Sequence, residues 1–123
     1  MYVNHSENIK YYKSKDSIPC ACDDCVFYIT QIEREYPRVC SYLRTMDIDP
    51  LRPFELVLLD FDKYMECDMC LYIVFGNCED SYIYQLDEVT FCKVKSHPDT
   101  HFLNEKAHFV IGFYPIHLEK RYS

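Results

Sequence analysis

The feature that most constrains this chain is a single change of hydrophobic period near residue 50. Before it, apolar residues recur every three or four positions. After it, they alternate or run continuously over strand lengths. Helices first and strands after is the pattern of an α+β domain. The 123 residues fit one domain spanning 1–123, with no linker or repeat to divide it.

Residues 1–18 are polar, with Lys10, Lys13 and Lys15 beside Tyr11 and Tyr12, and read as an arm or a short edge strand. Pro19 opens the segment Cys20-Ala-Cys22-Asp-Asp-Cys25, where Asp23 or Asp24 suits a helix cap. From Cys25 the spacing of Val26, Ile29 and Ile32 predicts a helix of roughly three turns. Pro37 suits the first turn of a second helix carrying Val39, Cys40, Leu43 and Met46, and Pro50 ends it.

Five strands are expected after that: 53–61, 69–75, 82–86, 89–94 and 107–118, the last interrupted by Gly112 and Pro115. Met69–Phe75 is apolar throughout and reads as a central strand buried on both faces. Asp87-Glu88 supplies a hairpin turn. The short connections favour an antiparallel sheet. The expected architecture is two N-terminal helices packed on one face of a mostly antiparallel sheet of about five strands.

Charge is distributed unevenly. Residues 47–88 hold eleven acids and two bases, while the whole chain carries a net charge of −7. Nucleic acid and anionic membrane surfaces are poor partners for such a chain. Asp60, Asp62, Glu66, Asp68, Glu79 and Asp80 fall at expected strand ends and turns. Their convergence on one rim would match a basic protein partner, with some of the twelve tyrosines as anchors. An edge strand at 107–118 or a Tyr-bearing sheet face would also suit a homo-oligomer.

Eight cysteines with no apolar signal-length run at the start lead to an expectation of reduced thiols in the cytoplasm. Thiolates are soft ligands suited to zinc. Cys20, Cys22 and Cys25 supply three, and Cys78 is the expected fourth. A third function is a cysteine-dependent enzyme with His97 or His101 of the HPDTH segment as base. Two glycines in the chain leave no phosphate-cradling loop.

The strings SIPCACDDC, YLRTMDIDPLRPFEL, LYIVFGNCEDSY, SHPDT and AHFVIGFYPIHLE together resemble a group of small uncharacterised proteins from Firmicutes-type bacteria. The resemblance implies a cytosolic bacterial protein and supplies no catalytic residues. A looser likeness in size, acidity and α+β pattern is to immunity proteins that neutralise bacterial toxins. The functional expectation is therefore a small acidic protein-binding domain. The alternative is a zinc-stabilised module.

Overall fold

The computed structural model describes residues 1–95, 97 and 106–120. They form three α-helices and a curled, wholly antiparallel sheet, so the fold is α+β. Strand β1 is Tyr2–Val3. The helices are α1 (His5–Lys13), α2 (Asp23–Glu35) and α3 (Pro37–Arg44). Then come β2 (Glu55–Asp60), β3 (Tyr64–Asn77), β4 (Ile83–Leu86), β5 (Val89–Val94), β6 (His108–Tyr114) and β7 (Ile116–Glu119).

Helix α1 corrects the expectation of an arm, while β1 is a short edge strand as expected. Asn4 caps α1, its side chain accepting from the Glu7 amide at 3.3 Å. Asn8, Tyr11 and Tyr12 lie at i, i+3 and i+4 and are buried. A helix face made of asparagine and tyrosine leaves no aliphatic stripe in the sequence. Helix α2 differs in its inner face. Tyr28 and Ile32 are wholly buried, while Val26 is 46% exposed. Helix α3 follows the expected spacing, with Pro37 in its first turn and Val39, Cys40 and Leu43 buried.

Strand β3 has 14 residues and organises the sheet. Its apolar centre, Cys70–Phe75, is buried at every position, as a central strand requires. One edge pairs with β6 and then β7, and the other with β2 and then β1. Beyond β6, β5 and β4 complete the order β1-β3-β6-β5-β4. The β4–β5 hairpin turns on Asp87 and Glu88, and Asp87 takes a positive φ of 55°. Asp tolerates that left-handed conformation better than most residues.

Among the described residues, no strand lies beside the edge of β3 between β2 and β1. Side chains of α1 serve that gap. Tyr12 Oη donates to the Ile73 carbonyl at 2.6 Å, and the Phe75 amide donates to Asn8 Oδ1 at 2.8 Å. The Asn4 amide then donates to the Phe75 carbonyl at 2.8 Å, where β1 begins. Buried backbone groups must find partners, and here a helix supplies them.

Gly76 lets β1 dock. Its φ is +136°, and a Cβ there would stand 2.0 Å from the Tyr2 carbonyl oxygen. Gly76→Ala is therefore expected to expel β1 and to destabilise the fold by about 1–3 kcal/mol. Denaturant titration measures the loss. Hydrogen exchange should show the Asn4 amide losing protection, and an unchanged Asn4 amide would refute the account.

Asp68 breaks the regularity of β3. The β2 register skips it, since Val57 pairs with Met69 and Leu58 with Cys67. On the other edge, Pro115 separates β6 from β7, with Cys70 opposite Phe113 and Cys67 opposite Ile116. The proline falls at a strand break, as its chemistry demands. Phe113 and Ile116 are both fully buried on either side of it.

Candidate metal centre

The start of α2 gathers three thiols. Cys22 is the N-cap in place of the expected aspartates, its extended backbone (φ −68°, ψ 159°) turning Sγ over the first turn. The Cys25 amide donates to Cys22 Sγ at 3.4 Å, and the Cys22 amide donates to Cys20 Sγ at 3.4 Å. The sulfurs of Cys20, Cys22 and Cys25 all lie within 4.8 Å of one another. Cys20 and Cys22 are exposed, and Cys25 is half-buried.

The local field divides these thiols. The Cys25 backbone N–H, then the thiols of Cys25 and Cys20, lower the Cys22 pKa below the ordinary thiol value. Burial, then the neighbouring Cys22 and Cys20, push Cys25 up to about 12. Three thiols this close resist ionising together, because each thiolate repels the next. A cation among them would remove that repulsion.

Cys78 stands outside this cluster. Its Sγ donates to the Glu79 carbonyl at 3.5 Å, beyond the end of β3. Burial, then the Glu79 charge, raise its pKa. The compact group is thus three thiols, all local in sequence, without the expected fourth. Cys67 and Cys70 are fully buried inside β3. His97 Nε2 meets Glu55 Oε2 at 2.8 Å, and its ring packs edge-on against Phe54. His101 lies outside the described residues.

The acids do not share one rim. Asp60 and Asp62 sit at the β2–β3 turn, while Glu79 and Asp80 follow the far end of β3. Fourteen residues at about 3.3 Å each put up to roughly 40 Å of strand between these ends. Several acids also have cationic partners. Lys120 Nζ meets Asp60 at 2.5 Å, Lys93 Nζ meets Asp80 at 2.6 Å, and the Met1 amino group meets Glu79 at 3.1 Å. Lys120 and Lys93 lower the pKa of Asp60 and Asp80, respectively. Glu66 is half-buried in β3, and Asp68 is exposed at the irregularity.

Among the described residues, no helix is long and apolar enough to cross a membrane. Comparison with known protein families, curated proteins and solved structures finds no match to this chain.

Proposed function

We propose that the protein binds one thiophilic metal ion, zinc foremost, on Cys20, Cys22 and Cys25. The mutual approach of the three sulfurs within 4.8 Å carries this reading. Two sulfurs on a tetrahedral zinc, each about 2.3 Å from the ion, stand about 3.8 Å apart. Three protein ligands leave one position for water or a partner's donor, as in open zinc sites. The ion would tie the Cys20–Cys22 segment to the first turn of α2. Binding would release thiol protons, so affinity would rise with pH.

Native mass spectrometry of protein purified without a metal-chelating tag tests this reading. The expected result is one zinc per chain, lost on Cys25→Ser with the circular dichroism of the fold retained. A metal-free chain that stays metal-free after addition of stoichiometric zinc would end the proposal.

A second reading is the acidic protein-binding domain of the immunity type, with a basic partner. Its support lies along β2 and the turn into β3. Val57 and Leu59 in β2 and Phe61 in the turn are 45%, 41% and 46% exposed, and Asp62, Glu66 and Asp68 follow in the turn and in β3. Exposed apolar side chains with an acidic rim suit steering of a cationic protein. Polylysine serves as the probe. Salt-sensitive association should weaken on joint Asp62→Lys and Asp68→Lys substitution. Association that ignores both changes would count against this surface.

A further inference from the structure

A pair of thiols lies apart from the three-cysteine cluster. Cys67 Sγ and Cys70 Sγ are 2.7 Å apart, and both residues are fully buried. Residues three apart on a regular strand point to opposite faces. The extra residue at Asp68 resets the alternation and turns the two side chains to the same side. Tyr28 and Tyr72 cover them, their hydroxyls 2.9 Å apart, and both rings are wholly buried. Bulges are commonly found where a side chain has to be re-aimed, and this one brings two sulfurs into contact inside a dry core.

We propose that Cys67 and Cys70 are a redox pair that closes to an intramolecular disulfide. The oxidant is a low-molecular-weight disulfide of the glutathione type. One cysteine loses its proton, and its thiolate attacks that disulfide. A protein–glutathione mixed disulfide forms, and one glutathione leaves as thiolate and is protonated. The second cysteine, once deprotonated, attacks the protein sulfur of the mixed disulfide and expels the second glutathione. Two protein thiols are oxidised, and one external disulfide is reduced to two thiols. Same-side sulfurs 2.7 Å apart are within reach of the bond of about 2.05 Å that this closure forms. Asp68, between the two cysteines, and Pro115, between their partners Phe113 and Ile116 on the neighbouring strands, are exposed, so the route for the oxidant is local opening at the irregularity.

The test uses the full chain with Cys20, Cys22 and Cys25 replaced by serine, so it does not depend on the metal reading. The protein is refolded from denaturant in a glutathione redox buffer, which equilibrates the pair without relying on native-state opening. Free thiols are then alkylated and the chain is mapped by tandem mass spectrometry. The expected product is a native-like fold, two hydrogens lighter, with the bond at Cys67–Cys70. Its melting temperature should exceed that of the reduced form. Cys70→Ser should instead leave Cys67 as a persistent glutathione adduct during refolding. Folded protein with both thiols alkylated across all buffer ratios would overturn the proposal. So would a disulfide that pairs Cys67 or Cys70 with Cys40, Cys78 or Cys92.

Discussion

Stability is expected to fall steeply once the pH passes 10. Tyr28 and Tyr72 are completely enclosed and Tyr12 is buried, and burial holds each phenol well above its ordinary pKa. In the unfolded chain these phenols ionise near pH 10. Their folded values are raised, so their contribution is fully present below that pH. It is lost as the pH rises from the unfolded value toward the folded ones. Three retained protons correspond to a slope of about −4 kcal/mol per pH unit. Domains are stable by only about 5–15 kcal/mol. Unfolding should therefore be complete within a few units. Tyr11, pushed up to about 12 by burial and then Asp16, adds in the same direction. Urea titrations at successive pH values measure the slope. Tyrosinate absorbance should rise for these residues only together with loss of the fold. Equal stability at pH 9 and pH 11 would show that the rings are not sealed as described.

Asn8→Leu should be among the most damaging single substitutions in the chain. Asn8 is fully buried, and both ends of its amide are used. Nδ2 donates to the Met46 carbonyl at 2.9 Å, and Oδ1 accepts from the Phe75 amide at 2.8 Å. Leucine is close in size, so it tests the hydrogen bonds more than the packing. It strands two buried backbone groups at about 1–3 kcal/mol each, or about 2–6 kcal/mol together. Tyr12→Phe strands only the Ile73 carbonyl and should cost about half as much. Denaturant midpoints for the two variants measure the order. A smaller loss for Asn8→Leu than for Tyr12→Phe would contradict the bridging role of α1.

Much of this fold is legible in the residues, for local reasons. The change of period near residue 50 marks the boundary between helices and strands. Pro37 and Asp87-Glu88 mark a helix start and a hairpin. The β5 strand lies where alternation placed it, at Val89–Val94. The cysteine cluster is likewise local, because CxCxxC brings its thiols together through one capped turn.

What stayed hidden depends on partners distant in sequence. Helix α1 packs through Asn8, Tyr11 and Tyr12, whose burial makes sense only beside the open edge of β3. No glycine or proline at 66–70 announces the irregularity at Asp68, so the contact of Cys67 with Cys70 was not readable. Cys78 and the dispersed acids illustrate the same limit. Turn chemistry placed Cys78, Asp62, Glu79 and Asp80 outside regular elements, but the length of β3 decided which could meet.

The placement of β3 also fixes an order of events during synthesis. Residues 1–63 are polymerised before any of β3 has been made. Yet Asn4, Asn8, Tyr12 and Tyr28 find their partners at Ile73, Phe75 and Tyr72. β6 and β7, which close the opposite edge, come later still. At translation speeds of about 5–20 residues per second, the nascent helices wait seconds for their scaffold. Their tyrosine-rich faces are open for that interval, and chaperones would meet them there.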